Sequence, residues 1–316
     1  PYLELIYIDP ENKKTVFKRV TNELPKEPKE IKPHPHGIEL GILIRMLKST
    51  RSRTLQGFLT TDFCRVGSKT AKLICEKANL YPNSRPKRIA IEEADKLLKA
   101  IKETKLIAPP TNCLSPITAE QFEKGIKKEV KTEFCKAVTR SPTVYRGFPF
   151  QIECCVAYGG ELESDKIVRL YRFANRVPLL YQQGACAITE SVSKTYWKPY
   201  GLQQSLGNLP IGPMIIAVHI ASVWVPFTSE AKEAIAHYPE IIKEIKLALQ
   251  EVGRELGRYL NRKIKKEDAL KKKSYIEKYI PHIGYALKDI LNLKEAEENK
   301  VVRILKDTLE RTREIK

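Results

Sequence analysis

The chain has 316 residues, of which 42% are hydrophobic and 30% are charged, a composition typical of a folded globular protein rather than a disordered one. Its formal net charge of +18 predicts a polyanionic partner, most often a nucleic acid. No apolar run reaches the roughly 18 residues that a membrane span needs, and the N-terminal residues lack the pattern of a secretory signal, so nothing indicates a membrane or secreted protein.

The seven cysteines are scattered along the chain and form no CxxC pair, a pattern that argues against a zinc site. Cys154 and Cys155 are neighbours on a predicted strand, so their side chains point to opposite faces of it. We expect the cysteines to be small buried thiols in a reducing cytoplasm, without a bound metal.

Residues 1–22 are predicted to form a β-hairpin, because two strand-like segments flank the turn residues "DPEN". A hairpin is too small to be stable alone, so we expect it to be the edge of a larger sheet. The chain begins with Pro1 directly inside a strand-like pattern, and we therefore expect it to be a fragment or one half of a split protein.

A proline-rich stretch follows over residues 24–36 and predicts an extended, semi-rigid domain boundary. It contains His34 and His36, which could be metal ligands. No further histidine or cysteine lies near them in the sequence, so a metal site is disfavoured.

Residues 37–105 are predicted to be helical, with short turns and many basic side chains. In the segment "RVGSKTAKLI", Gly67 permits a tight turn and Ser68 can cap the helix that follows. The backbone amides of its first turn could hold a phosphate, with Arg65, Lys69 and Lys72 beside it. The alternative is a capped surface helix with a solvated basic face; charge and turn chemistry together favour a nucleic-acid contact.

Residues 107–225 alternate predicted strands and helices, which indicates an α/β layer with its own core. The run from Met214 to Val225 is apolar on both faces and is predicted to be a central strand. His219 lies inside this strand, where a hydrogen-bonded core histidine is favoured over a catalytic one.

Residues 229–262 are predicted to be helical, and Pro239 is expected to break or kink the helix. This places Lys232 in the first helical turn, where the backbone amides and the macrodipole already create a positive potential. Lys232 is then either a solvated surface lysine or a cation that meets an anion bound at the helix end.

The C-terminal region begins with a predicted basic joint at residues 262–273, "RKIKKEDALKKK". Two more amphipathic helices are predicted over residues 274–315. A terminal helical arm with few residues to pack against usually docks on another molecule, and a partner subunit is the favoured interpretation.

Residues 34–74 resemble the helix-two-turns-helix module found in the B subunit of DNA topoisomerase VI. Five further segments resemble its transducer domain in the same order, so the resemblance covers nearly the whole chain. These segments are residues 144–160, 172–189, 197–202, 209–222 and 225–235.

The resemblance implies an α+β multidomain fold, in which a helix-two-turns-helix domain precedes an α/β transducer domain that is ribosomal-S5-domain-2-like. The implied divisions are a terminal hairpin of a GHKL-type ATPase domain with its linker (1–32), the helix-two-turns-helix domain (33–106), the transducer (107–262) and a long helical arm that contacts the A subunit (263–316).

The implied activity is that of an ATP-dependent type IIB topoisomerase, which relaxes and decatenates double-stranded DNA. In this family the B subunit homodimerises within a heterotetramer of two A and two B subunits. It uses ATP and Mg²⁺ to close a dimer gate around the transported duplex, while the A subunit cuts DNA. No catalytic residue is therefore expected in this chain.

Residue by residue, the resemblance makes Lys232 the switch lysine, which touches the γ-phosphate of ATP held by the neighbouring domain. A second family motif, in the transducer, is matched by Trp197, Lys198 and Tyr200; it either couples the domains or is a structural turn. Duplex contacts, mostly to phosphates, are implied for the basic residues of the helical module. These are Arg65, Lys69, Lys72, Arg85, Lys87 and Arg88.

The sequence departs from the family in lacking the nucleotide-binding motifs. It has neither the DxGxG motif nor a glycine-rich lid. We therefore expect the chain alone to be inactive, with ATP and Mg²⁺ bound mainly by an ATPase segment that was removed or is a separate polypeptide.

Two rival functions remain open at this point. A DNA-repair glycosylase also carries a helix-two-turns-helix module and uses an N-terminal proline as nucleophile, which draws attention to Pro1; the expected four-cysteine zinc finger is missing. A basic nucleic-acid-binding scaffold without ATP linkage is the other, and it predicts that Lys232 is an ordinary surface residue.

Overall fold

The computed structural model describes residues 2–292 and 294–312, which form helices and strands in a mixed α+β arrangement. The chain divides into two compact units, Pro1–Gly253 and Arg254–Lys316. The first contains the hairpin, a helical region and a mixed sheet. The second contains helical residues from position 254 onwards. Within the described residues, no helix combines the length and the apolar character that crossing a bilayer requires.

The N-terminal hairpin is confirmed. Strands β1 (Leu5–Ile8) and β2 (Lys14–Phe17) pair antiparallel and form a separate two-stranded sheet. The Asp9 carboxylate stabilises the turn by accepting hydrogen bonds from the backbone amides of Glu11 (2.9 Å) and Lys13 (2.7 Å). Every residue of both strands is exposed.

The predicted helical region contains helices that share one apolar core. The helices are α1 (Leu40–Ser49), α2 (Leu55–Thr61), α3 (Ser68–Lys77) and α4 (Ile91–Glu103). The core is made of completely buried side chains from all of them, which fixes the helices against one another. Its members include Leu43, Phe58, Leu59, Ile74, Leu97 and Ile101.

The two linker histidines donate hydrogen bonds to backbone carbonyls. His34 Nε2 donates to Ile107 O (3.1 Å), and His36 Nε2 donates to Thr104 O (3.0 Å). Burial lowers the pKa of His34, which favours the neutral ring. The pair therefore attaches the linker to the end of α4 and the residues after it. Among the described residues, no group of three or more His, Cys, Asp or Glu side chains is placed to hold a metal ion.

A mixed sheet follows. Its strands are β3 (Phe134–Thr139), β4 (Thr143–Tyr145), β5 (Phe148–Tyr158), β6 (Arg169–Ala174), β7 (Val177–Pro178) and β8 (Met214–Ser222). Their order is β3-β5-β8-β6-β7, with β4 pairing on β5. The central strand is β8, which runs antiparallel to β5 and parallel to β6. All residues of β8 are buried, as its two-sided apolar pattern predicts, but the strand ends at Ser222 instead of the predicted Val225. The same region contains the helices α5 (Ala119–Glu129) and α6 (Ala187–Ser193).

Helix α7 extends from Pro239 to Leu291 and corrects two predictions. It begins at Pro239 instead of being kinked there, because proline suits the first helical turn, where its missing amide has no partner to bind. The basic segment 262–273 is part of this continuous helix rather than a joint, so the helix predicted to start at residue 274 is not a separate one. At its start the helix is held to the sheet by Arg140, which pairs with Glu244 (3.3 Å) and Glu251 (3.3 Å).

In the second unit, the end of α7 packs against α8 (Glu295–Thr312). Lys288 Nζ lies 2.8 Å from Glu298 Oε2, and Gly284 packs so closely against Val302 that an added Cβ would clash with it. The later residue of α7 contacts the earlier residue of α8, so the two helices are antiparallel. Several large apolar side chains stay exposed in this unit: Tyr275, Tyr279, Tyr285, Ile290, Leu291 and Ile304.

Candidate functional sites

Lys232 lies in a loop between β8 and α7, so its predicted position in a first helical turn is wrong. Its amide donates to Ser229 O (3.2 Å), which closes a tight turn. Its φ of +56° is in the left-handed region, which costs a non-glycine residue about 1 kcal/mol. The helix-macrodipole argument does not apply to Lys232, because the helix starts seven residues later, at Pro239.

The two ends of this loop are anchored, while its tip is exposed. The amide of Thr228 donates to Ala234 O (2.9 Å), and that of Ala236 donates to Pro226 O (2.7 Å). Ala234 and Ile235 are completely buried. Within the described residues, no ion pair joins the Lys232 ammonium to an acidic side chain. We call residues 226–238 the Lys232 loop; it presents an exposed cation on an anchored base.

The start of α3 differs from the predicted capping. The cap position is occupied by Gly67, and Ser68 is the first helical residue. The Ser68 hydroxyl instead accepts a hydrogen bond from Gln56 Nε2 at 2.7 Å. No side chain among the described residues caps α3, and its first turn carries no acidic residue. Its N-terminal amides therefore lack a side-chain acceptor, which suits an anion.

The six basic residues predicted to contact DNA form two groups. Arg65, Lys69 and Lys72 lie at and just after the turn before α3, and Lys69 and Lys72 share one face of that helix. The other three, Arg85, Lys87 and Arg88, lie in and beside a 3₁₀ turn at Pro86–Arg88. All six are exposed, and within the described part of the chain none is paired with an acidic side chain.

Gln56 bonds to residues that neighbour each of the two basic groups in the sequence. Its amide donates to Pro82 O (2.9 Å), close to the second group, while its side chain reaches Ser68 beside the first. Gln56 thus connects the backbone before the second group to Ser68 beside the first. We call the six residues the basic surface.

The motif at Trp197, Lys198 and Tyr200 contains one core residue and one exposed cation. The Trp197 indole is completely buried, and its Nε1 donates to Val192 O (2.9 Å). Tyr200 packs edge-on against it, with 5.9 Å between ring centroids. Tyr200 also packs against Gly253 of α7. A Cβ added at Gly253 would lie 2.5 Å from the Tyr200 ring, so only glycine fits there. Lys198 is exposed to solvent.

A buried carboxylate, Glu153 on β5, was missed by the sequence analysis. It accepts hydrogen bonds from the amides of Ile117 (2.7 Å) and Thr118 (2.8 Å) and from the hydroxyl of Thr139 (2.7 Å). Burial acts to raise the pKa of Glu153, but these bonds and one from His219 together hold it below its ordinary value. The one signal in the sequence is a glutamate inside the apolar strand "FQIECCVAY".

His219 is a hydrogen-bonded core histidine, as predicted. Its Nδ1 lies 2.8 Å from Glu153 Oε2, and both side chains are completely buried. Its Nε2 accepts the amide hydrogen of Arg176 (3.0 Å), so the proton resides on Nδ1 and is donated to Glu153. The guanidinium of Arg176 also donates to Ser115 O (2.8 Å), which extends the network to the segment before α5.

A cavity of about 620 Å³ lies between the hairpin and the sheet. Apolar side chains such as Phe17, Phe122 and Phe173 line it, and none of the predicted site residues does so. The cavity therefore stands apart from the Lys232 loop and the basic surface.

These features define an α+β protein in which an exposed basic helical surface precedes a mixed sheet that carries a lysine-bearing loop. The sequence profile described as "Topoisomerase VI B subunit, transducer" matches residues 109–272, just over half of the chain. The chain belongs to the family of topoisomerase VI B subunits, as the resemblance predicted.

Similar proteins agree with this assignment. The B subunit of type 2 DNA topoisomerase 6 from Archaeoglobus fulgidus is 46% identical over 302 residues, which is 96% of this chain and 50% of that protein. The protein of the same name from Saccharolobus islandicus is 38% identical over 295 residues, covering 92% of this chain and 54% of the relative. The chain thus spans about half the length of the curated relatives it matches.

A solved structure of the DNA gyrase B subunit from Myxococcus xanthus is also similar. Its TM-score is 0.30 at 18% sequence identity, over 43% of this chain and 38% of the gyrase chain. A likeness this low carries no argument about the fold.

Proposed function

We propose that the chain acts in the B subunit of an ATP-dependent type IIB DNA topoisomerase, where it couples ATP binding, hydrolysis and dimer-gate closure to double-strand passage by an A subunit. The observation that carries the proposal is family membership together with an exposed lysine on an anchored loop, which has no acidic partner among the described residues. ATP and Mg²⁺ would be bound mainly by an ATPase segment outside this sequence. The assembled enzyme would contain two A and two B subunits and would relax and decatenate DNA in the cytoplasm.

The four proposed parts have different tasks. Residues 1–32 would complete the ATPase domain, and residues 33–106 would contact the duplex. Residues 107–262 would form the transducer, and residues 263–316 would join the A subunit. The exposed apolar side chains of the second unit support the last assignment, since such patches are typical of protein interfaces.

In this proposal Lys232 is the switch lysine, which contacts the γ-phosphate of ATP in the neighbouring ATPase domain. Its exposure leaves the ammonium available to a phosphate, and a compact ammonium suits such a contact. The contact would exist with ATP and be lost with ADP, and this difference in binding free energy can bias the orientation of the domains.

Replacement of Lys232 tests the proposed function directly. The chain is combined with the ATPase segment and the A subunit, and ATP hydrolysis and relaxation of supercoiled DNA are measured. We expect Lys232→Ala to reduce both activities at least about tenfold, a loss of roughly 1.4 kcal/mol of transition-state stabilisation.

The matched control is Lys243→Ala, which removes the same charge from an exposed position of α7. It should leave both activities unchanged, and neither variant should lose co-purification with the A subunit. Full activity of Lys232→Ala would reject the switch role and favour the basic scaffold without ATP linkage. The glycosylase alternative rests on Pro1, which lies outside the described residues.

The basic surface is proposed to contact duplex DNA, mainly through phosphates. Its support is the six exposed basic side chains, which lack acidic partners among the described residues, and the uncapped start of α3. Phosphate contacts position a protein on DNA without reading its sequence, so this surface would accept many sequences.

Charge reversal of Arg65, Lys69 and Lys72 to glutamate should weaken duplex binding and its salt dependence. The slope of log K against log salt is negative, and each lost phosphate contact should make it less negative by about 0.9. Fluorescence anisotropy with a labelled duplex at several salt concentrations measures both quantities.

The control variant reverses the three exposed hairpin lysines Lys13, Lys14 and Lys18, so its net charge changes equally. If the magnitude of the salt slope decreases as much in this control as in the α3 variant, the effect is one of total charge and not of the basic surface. An unaltered slope in the α3 variant would place the DNA contact elsewhere.

A further inference from the structure

The Lys232 loop has a side-chain tether to α6. His237 Nδ1 lies 2.9 Å from Glu190 Oε2, with side-chain exposures of 44% and 22%. Glu190 lies in the first turn of α6, and His237 lies near the end of the loop, two residues before α7 begins. The pair therefore joins one end of the loop to a helix that is distant in the sequence.

Backbone contacts connect the same two segments. The amide of Ala187 donates to Ile235 O (2.9 Å), and the amide of Ile235 donates to Cys186 Sγ (3.5 Å). Both bonds are made by Ile235, which is three residues from Lys232 in the sequence. The start of α6 thus holds the loop through backbone and thiol contacts, and the contact between Glu190 and His237 adds a pair of ionisable side chains.

The charge at Glu190 favours this contact. A hydrogen bond from Lys194 lowers the pKa of Glu190, burial opposes the shift, and the nearby charges of His237 and Lys246 lower it further. Glu190 is therefore ionised at neutral pH, and its Oε2, which has no hydrogen-bond partner among the described residues, attracts the imidazole when that ring is protonated. Lys194 is exposed and pairs with the other carboxylate oxygen, Oε1, so its replacement leaves the contact to His237 in place and provides a control.

We infer that Glu190 is a positioning residue for Lys232, acting through His237. The tether restricts the loop to the conformation in which Lys232 has a φ of +56° and its ammonium is exposed. A loop that is already ordered loses less conformational freedom when an anion binds, so its ammonium reaches the phosphate more often. The inference rests on the proposed switch role of Lys232 for its functional consequence, but not for the tether itself.

Hydrogen–deuterium exchange of the chain tests the tether without ATP. In Glu190→Ala and His237→Ala, the peptide covering residues 227–238 should exchange about two- to fivefold faster, as expected for loss of a partly exposed pair. The double variant should exchange no faster than either single variant, because both substitutions remove one contact. Lys194→Ala should exchange like the unmodified chain. Unchanged exchange in both single variants would overturn the inference.

The assembled enzyme gives the functional readout. Glu190→Ala should lower kcat for ATP hydrolysis about two- to fivefold with an unchanged KM, and should cause no further loss in a Lys232→Ala background. A further loss of the same size would show that Glu190 acts independently of Lys232 and would overturn its positioning role. Full activity of Lys232→Ala would instead reject the proposed function, while exchange would still decide whether the tether exists.

Discussion

Replacing Glu153 by alanine should lower the free energy of unfolding by about 3–5 kcal/mol, one of the largest effects of a single substitution in this chain. The carboxylate is completely buried and accepts hydrogen bonds from Ile117, Thr118, Thr139 and His219. Its removal leaves these donors buried without an acceptor, and each such group destabilises the fold. Urea unfolding monitored by circular dichroism measures the loss.

Glu161→Ala is the matched control, because Glu161 is 63% exposed and its pair with Lys131 lies in solvent. It should change the free energy of unfolding by less than about 1 kcal/mol. A loss of similar size in both variants would contradict the proposed importance of the Glu153 network.

The same network predicts a dependence of stability on pH. The pKa of Glu153 lies below its ordinary value of 4.5 in the folded chain, so its contribution to stability is present above pH 4.5. This contribution is lost as the pH falls through the lowered, folded-state pKa. As the pH falls, the free energy of unfolding should therefore decrease less in Glu153→Ala than in the unmodified chain. An identical dependence on pH in the two proteins would contradict this linkage.

Replacing Trp197 by alanine should also destabilise the chain by about 3–5 kcal/mol, because it empties a completely buried site and removes the hydrogen bond to Val192. Trp197→Phe should lose less, since it keeps most of the apolar contact with Tyr200. Chemical unfolding measures both variants. Tyr196→Ala, at a neighbouring side chain that is 64% exposed, is the control and should have little effect.

This prediction separates the two interpretations of the motif that contains Trp197. A large loss of stability supports a structural turn for the tryptophan, whereas normal stability with impaired strand passage would support a coupling role. Lys198 is exposed, so Lys198→Ala should keep the fold intact. The role of Lys198 in coupling remains a prediction that strand passage by the assembled enzyme can measure.

Local sequence patterns predicted most of the helices and strands. The hairpin follows from two short strand-like segments around a turn, and the central position of β8 follows from an apolar run with no polar face. His219 was predicted to be a satisfied core residue because it lies within that run. Such features depend on residues that are adjacent in the chain, so they can be predicted from the order of the amino acids alone.

The Lys232 loop shows where a local pattern is insufficient. The segment "SEAKEAIA" contains good helix formers, yet its backbone forms a turn whose ends bond to Pro226 and Ala187. Burial of Ala234 and Ile235 against distant parts of the chain outweighs a helix propensity of a few tenths of a kcal/mol per residue. Ser68 is a similar case, because its hydroxyl bonds to Gln56 of another helix instead of capping its own.

The sequence by itself determined the basic character, the α+β content, the family resemblance and the identity of Lys232 as a candidate. Only the tertiary structure decided that Lys232 lies on an anchored loop, that Gln56 bonds to residues beside both basic groups, and that Glu153 joins three strands and the segment before α5. The physical reason is that composition and periodicity reflect contacts between near neighbours, whereas these three sites depend on hydrogen bonds and burial between residues far apart in the chain.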